Sequence, residues 1–559
     1  MDNSAIADRF TLLSRLMDIH GENPFKTKSY SSAAYQIDQL KLPLAGMDPA
    51  HIAALNGIGA SMASKITEIL ETGSLKALDD ILAKTPPGIL EMMEVKGLGP
   101  KKIATIWHEM GIESIGELLY ACQENRLMLF KGFGVRTQQN VREAIEFLLR
   151  HRDRALHADT EPRAEELTAF LQDRWPQGMH LPSGAFRRQC PELDRIEFVT
   201  TAPFAELSDT LLSAGIADTT SQDGHVLTAE KDGCIPSVFH TCAAEDFGTR
   251  LFLTTGSTAF LDQWTLSHGE LQRSSKEDDL FRLAGIAPIP PCLRETGAQA
   301  GVDHTWTPPA LIRTEDVRGI IHAHSDWSDG THSLEQMADA CIRQGFEYLV
   351  ISDHSRSAQY AGGLDIDKVR RQHEHIDALN TKLGTFRIFK SIECDILGDG
   401  SLDYPDDVLA GFDMVIASIH SNLRMTEDKA MQRLLKAIAN PFTDLLGHPT
   451  GRLLLSRPGY PVDHLRMLDA CAEAGIAVEI NAHPRRLDLD WSWIPAALER
   501  GLMLSIDPDA HAVEGFADIR HGVLAAQKGG LTSASNLSSL SRGELEAWLA
   551  ERRRKRKRD

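Results

Sequence analysis

No stretch of this 559-residue chain is apolar for long enough to span a bilayer. Its start, "MDNSAIADRFTLLSRL", lacks the basic and apolar regions of a secretory leader. Cysteine is scarce: 8 residues, scattered, with no Cys-x-x-Cys pair. That argues against a disulfide framework or a cysteine-ligated zinc, and fits reduced thiols in a cytoplasm. Positive charge is in deficit, the formal net charge being −20. Over the whole chain this speaks against phosphate-rich partners, since phosphate affinity comes largely from lysine and arginine. Local distribution decides that question, however, and the net value does not. What remains is ordinary for globular chains: 42% hydrophobic and 25% charged residues, in a length that calls for several domains.

The first 150 residues carry a repeat. "LNGIGASMASKI" from Leu55, "VKGLGPKKIATI" from Val95 and "FKGFGVRTQQNV" from Phe130 each place Gly-apolar-Gly before a helix-compatible stretch. The glycines (Gly57 and Gly59, Gly97 and Gly99, Gly132 and Gly134) permit a tight turn that bares backbone N–H groups at the next helix start. Such a turn holds a phosphate oxygen without reading a base, and Lys96, Lys101, Lys102, Lys131 and Arg136 add charge beside it. These segments resemble helix-hairpin-helix motifs, which grip nucleic-acid backbones; the plain alternative is three helix connections. "NPFKTKSYSSAAYQI" from Asn23 with the first turn resembles the small N-terminal domain of family X DNA polymerases. The resemblance puts Lys65 where that family's lyase forms a Schiff base; a helix-surface lysine is the other reading.

"GAFRRQCPELDRIEFV" from Gly184 resembles the family X palm motif, in which two aspartates hold the metal pair of nucleotidyl transfer. Here the matching positions are Arg195 and Glu197, and the third falls at Val238. An arginine where dications should sit opposes their binding at short range. The resemblance therefore implies a palm that keeps its fold and lacks polymerase activity.

Beyond residue 316 short apolar strands alternate with amphipathic helices, the pattern of a parallel βα architecture. Several strands end on a polar residue. "GIIHAHSDWSDG" ends on His322 and His324, two apart and so on one face, with Asp326 and Asp329 behind. By itself this is either half a metal site or a surface pair before an Asp-Gly turn. Further ends carry Asp353 and His354, Glu393, His420, His448, Asn481, and Asp509 with His511. In a βα barrel such ends meet at one mouth. Imidazoles and carboxylates gathered there are hard to stabilise without cations. His373, His375 and His464 fall in helical stretches and are poor joint ligands, while His332 and His483 border the mouth as candidate substrate contacts.

"HAHSDWSDG", "SDH", "SIH", "GHPTG" and "DAH" resemble the PHP family (polymerase and histidinol phosphatase). The resemblance implies a metal set of His322, His324, Asp329, His354, Glu393, His420, His448, Asp509 and His511, holding two or three divalent ions, manganese, zinc or iron. A metal-bound hydroxide shared by two cations would attack phosphorus in line, with Arg452, Arg485 and Arg486 as candidate phosphate clamps.

Taken together, the chain resembles a bacterial family X polymerase with a C-terminal PHP domain. The expected fold is multidomain: an α-helical helix-hairpin-helix region, a degenerate α+β nucleotidyltransferase-like palm, and an α/β distorted PHP barrel. The expected divisions are 1–80 and 81–150 (helix-hairpin-helix), 151–300 (palm), 301–316 (linker), 317–550 (PHP) and 551–559. The last, "ERRRKRKRD", is either a solvated end or a phosphate-binding arm, and carries no assigned function. The expected function is a metal-dependent 3′-5′ exonuclease acting in base excision repair, with abasic-site or 3′-phosphate processing as extensions. Its partner is DNA at gapped or single-stranded ends, without a membrane, in the cytoplasm and on the nucleoid when bound to DNA. Alternatives are a gap-filling polymerase with editing, disfavoured by Arg195 and Val238, and a small-molecule phosphatase of the histidinol-phosphate type, which leaves the hairpins unexplained. A non-catalytic DNA-end binder is a third.

Overall fold

The computed structural model of the chain describes residues 3–38, 40, 42–55, 58–95, 97–149, 154–457 and 459–556. Gly57 and Lys96, both expected at DNA-gripping turns, lie outside the described residues. The chain forms two compact units, Met1–Gln123 with Leu127–Glu146, and Glu124–Arg126 with Phe147–Asp559.

The first unit is helical. Helix Asn3–Ile19 packs on Pro24–Asp38 through Ile6, Phe10, Leu13 and Met17, an i, i+3, i+4 stripe, against Tyr30 and Ile37. In the hairpins the residue between the glycines is the anchor: Ile58, Leu98 and Phe133 are all buried. Among the described residues, the flanking glycines Gly59, Gly97, Gly99, Gly132 and Gly134 are exposed. Gly97 and Gly132 take φ of +91° and +95°, which side-chain-bearing residues rarely adopt. Nothing lies within 4 Å of where a Cβ would stand on Gly59, Gly97, Gly99, Gly132 or Gly134, so the backbone there is open to approach.

The second unit begins with a five-stranded mixed sheet in the spatial order His180–Ser183, Ile196–Thr200, Ser237–Thr241, Val226–Glu230, Thr219–Asp223. Phe198 and Phe239 on its central pair point into one core with Leu167, Leu171, Leu207 and Leu211. A second cluster, Phe252, Phe260, Trp264 and Phe281, joins the helices that follow.

Seven parallel strands then run in chain order, Gly319–Ala323, Tyr348–Ile351, Arg387–Asp395, Met414–Ser418, Leu445–Leu446, Ala477–Asn481 and Leu504–Asp507. Their Ile, Leu and Val side chains are buried on both faces, as a sheet covered by helices requires. First and last strands meet where His324 N donates to Ala510 O at 2.8 Å, so the barrel nearly closes. Among the described residues no helix is long and apolar enough to cross a membrane.

Two segments have contacts that their sequence reading does not show. Residues 301–316 are mostly exposed, but Ile312 is fully buried in the barrel core and its N–H donates to Leu531 O, so the linker is pinned there. The basic end belongs to helix Arg542–Arg556, which runs through the expected division at 550. Arg552 donates to the Thr443 and Ala474 carbonyls at 2.6 Å and pairs with buried Asp444, as does Arg556. These arginines are therefore neither a solvated end nor a phosphate-binding arm.

Candidate metal centre

The barrel's C-terminal strand ends bring His322, His324, Asp329, His354, Glu393, His420, His448, Asp509 and His511 into overlapping groups. Within each group the candidate ligand atoms lie no more than 4.8 Å apart. The groups are His324/Asp329/His354/His511, His322/Glu393/His448, His322/His324/Asp509 and His354/Glu393/His420. Asp326, flagged beside Asp329, stays outside them; its backbone N–H donates to His332 O.

Backbone strain helps aim the side chains. His322, His448 and Asp509 have φ of +58°, +21° and +51°, in or at the edge of the left-handed region. The ladder between the first two barrel strands also slips register between Ile320 and Ala323. Such conformations cost about 1–3 kcal/mol each and persist where surrounding structure over-determines them. Two-residue periodicity alone does not account for the placement of His322 beside His324, whose ring centroids are 5.4 Å apart.

Three imidazoles are anchored by one nitrogen with the other facing the cluster. His322 Nδ1 donates to Glu479 at 3.0 Å, His420 Nδ1 to Asp395 at 2.5 Å, and His511 Nδ1 to the Asp509 carbonyl at 2.9 Å. A carboxylate or carbonyl behind a ligand histidine fixes its ring and raises its basicity. Glu479 also accepts from His448 N and Asn481 Nδ2. The strand-end pattern of the sequence singles out neither Glu479 nor Asp395. The available signal was a buried acid inside "AVEIN" and an acid two residues beyond Glu393 on the same face.

The charges are tightly coupled. Burial opposes ionisation of Glu393, yet His420, His322 and His354 outweigh it and hold its carboxyl well below the usual range. Asp509 is likewise depressed against burial, chiefly by His322 and His324. Burial disfavours protonated His420 and His511, but Glu393 and Asp395 push the former up to about 10, and Asp329 and Glu124 push the latter to about 10. The buried acids thus demand positive charge, from protons or from divalent ions.

The donor set is chemically suited to divalent metals. His322 Nε2, His324 Nδ1, Asp329 Oδ2, His354 Nδ1, Glu393 Oε2, His448 Nδ1 and His511 Nε2 are buried without a hydrogen bond. Buried polar atoms almost always have partners, and so many orphans in one mouth fit cation ligation.

Of the three candidate clamps, Arg486 stands at the cluster, its Nε 3.8 Å from Asp509 Oδ2. Arg452 does not serve: its guanidinium donates to the Arg486 and Leu487 carbonyls and to Asp490. The Arg485 N–H donates to His483 Nδ1, and burial with Arg485 and Arg486 pushes His483 down to about 3, so its ring is neutral. His332 Nδ1 sits 3.0 Å from Thr331 Oγ1. His375 bonds Glu335, His373 packs edge-on against Phe412 and His464 stacks on Trp493.

In the palm, Arg195 is half-exposed and paired with Asp194, and Val238 is buried. Glu197 accepts from His240. Lys65 is half-buried with Nζ 5.9 Å from the Tyr30 ring centroid. Lys101, Lys131 and Arg136 are exposed beside the second and third hairpin turns, and Lys102 bonds the Gly97 carbonyl at 3.3 Å.

Comparison with known proteins agrees with this layout. Residues 1–75 match the Helix-hairpin-helix domain, 89–146 the SAM-like Helix-hairpin-helix tandem and 321–483 the PHP domain. The DNA polymerase/3′-5′ exonuclease PolX of Bacillus subtilis (strain 168) is 32% identical over 95% of this chain and 96% of its own. Probable phosphatases align with a smaller part. That of Thermoanaerobacter sp. (strain X514) is 26% identical over 42% of this chain and 95% of its own length. That of Caldanaerobacter subterraneus subsp. tengcongensis is 30% identical over 35% and 77%.

Proposed function

The chain belongs to the family of the DNA polymerase/3′-5′ exonuclease PolX, and from that membership we propose a metal-dependent DNA phosphodiesterase of the 3′-5′ exonuclease type. One observation carries the reading: imidazole and carboxylate side chains converge in the barrel mouth, and seven of their buried nitrogen and oxygen atoms have no hydrogen-bond partner.

His322, His324, Asp329, His354, Glu393, His420, His448, Asp509 and His511 would hold two or three divalent ions, manganese, zinc or iron. Such ions supply a nucleophile at neutral pH and neutralise charge on the phosphoryl oxygens. Glu479 and Asp395 fix the rings of His322 and His420. Arg486 is the residue positioned to hold a non-bridging phosphate oxygen. The hairpins bring DNA by its backbone, and gapped or single-stranded ends are the proposed substrates, with abasic-site and 3′-phosphate processing as extensions. The palm is proposed to synthesise nothing. Its arginines are engaged internally, Arg187 with Glu277 and Thr255, and Arg188 with Glu295 and the Thr255 carbonyl.

The test compares hydrolysis of single-stranded DNA, gapped DNA and histidinol phosphate with manganese. DNA should be degraded far faster than histidinol phosphate; the reverse order would make this a small-molecule phosphatase. His324→Ala should abolish turnover and lower metal content while DNA affinity stays.

A further inference from the structure

A tenth candidate ligand, an acid, lies in the mouth, from a segment that the strand-end pattern does not reach. Glu124 follows helix Ile115–Gln123, and Glu124–Arg126 belong to the same compact unit as the barrel. Glu124 is 6% exposed, and it forms a group with Asp509 and His511 whose candidate ligand atoms lie within 4.8 Å. Its Oε1 is 3.9 Å from His511 Nε2 and 4.0 Å from Arg486 Nη2. His511 Nε2 is itself buried without a hydrogen bond. Oε2 accepts from Arg126 Nη1 at 3.4 Å, and the Arg126 guanidinium lies 4.0 Å over the Tyr360 ring centroid. Tyr360 in turn stands edge-on to His354.

The carboxylate thus lies beside the Arg486 guanidinium and beside His511 at the edge of the candidate metal centre, the side from which a phosphodiester oxygen would also be held. It is also held loosely. None of those separations is a short hydrogen bond, whereas Asp395 and Glu479 grip their imidazoles at 2.5 and 3.0 Å. A carboxylate and a phosphodiester are both anionic oxygen donors, so the two cannot share Arg486 and the His511 side without repulsion. We propose that Glu124 is a resident competitor for the phosphate group: it fills the phosphate position at rest and is displaced when substrate enters. Arg126, stacked on Tyr360, sets how firmly it sits there.

This deepens the phosphodiesterase reading and rests on it for its biological meaning, but its test requires no turnover. The metal-loaded full chain is titrated with inorganic phosphate by calorimetry, and manganese is counted by elemental analysis. Glu124→Gln keeps size and removes charge. It should bind phosphate at least tenfold more tightly at an unchanged metal count. In the wild type, added phosphate should speed amide exchange across residues 123–127. A lower metal count in the variant would make Glu124 a fixed ligand and overturn the proposal. So would unchanged phosphate affinity, or exchange at 123–127 that ignores phosphate. If the wild type hydrolyses no ester yet these shifts appear, the nuclease reading fails and the competitor stands.

Discussion

Glu197 and Val238 are register partners on neighbouring parallel strands of the palm sheet, and their side chains share one face. A polymerase of family X places carboxylates on that face. Here there is one, accepting from His240 at 3.1 Å and packed so closely on Gly184 that a Cβ there would meet it at 1.9 Å. Gly184 has φ of +61°, so glycine is required twice over. Arg195, the remaining metal position, carries the opposite charge.

The palm should therefore extend no primer. Purified protein with gapped template, magnesium or manganese and four nucleotides is expected to give no product above the starting length. Because Arg187 and Arg188 are tied to Glu277 and Glu295, saturable nucleotide binding below about 1 mM is not expected either. Robust extension would reverse both statements.

What the palm does hold is the barrel. Lys528, from the barrel helix Ile519–Lys528, is buried and bonds Glu295 at 2.7 Å, while Arg520 forks onto Glu161 at 2.7 and 2.6 Å. Removing one partner of a buried pair leaves the other charge stranded, at about 3–5 kcal/mol. Arg188 remains beside Glu295, so Lys528→Met should lie at the lower end, about 3 kcal/mol, read by denaturant unfolding. A loss under about 0.5 kcal/mol would make the contact incidental.

The same pair predicts an acid limit. Burial raises the Glu295 carboxyl, but Lys528 and Arg188 outweigh it and hold it at about 2. A carboxyl depressed in the folded state stabilises above its unfolded value, and that stability is lost as pH falls through the folded one. The contribution, about 3 kcal/mol, should be complete above pH ~4.5 and gone near pH ~2. Glu295→Gln should flatten the stability profile in that window and leave its slope above it unchanged.

Behind the mouth, Glu479 holds His322 Nδ1 and the His448 N–H at once. Glu479→Gln keeps the volume and loses the charge. Metal affinity should fall about 10–100-fold in chelator competition, as for other partners behind ligand histidines, with DNA affinity unchanged. Unaltered affinity would assign Glu479 to folding alone.

These residues show where the sequence is readable. Acids and imidazoles that end apolar strands stand out because barrel topology brings those ends to one mouth, as with His322, His420 and His511. Glu479 lies mid-strand, where an acid reads as an irregularity until its partners from other strands are known. Glu124 could not be found from pattern, since it comes from a helical region 385 residues before Asp509 in the sequence. Arg452 and Arg552 show the opposite case. The sequence offers the first as a phosphate clamp and the second as part of a basic end, yet carbonyls from distant turns engage both. Tertiary partners, which no local pattern encodes, decide those cases.

The hairpins offer a final test that is independent of any metal. Ile58, Leu98 and Phe133 fix each turn to the helical core, while the glycines and the cations Lys101, Lys131 and Arg136 stay open to solvent. Contacts of this kind engage phosphates and release counterions, so affinity should fall steeply with salt and vary little with base sequence. Lys131→Ala should weaken duplex binding to the same extent on unrelated sequences and shallow the log–log salt slope by about 0.9. Gly132→Ala should weaken it as well without removing a charge, because a φ of +95° excludes a side chain and the turn must shift. Its salt slope should then change through lost contacts at the neighbouring cations, so the two variants together separate turn geometry from charge. If both bind as the wild type does, the third hairpin takes no part in holding DNA, and the barrel finds its substrate by other surfaces.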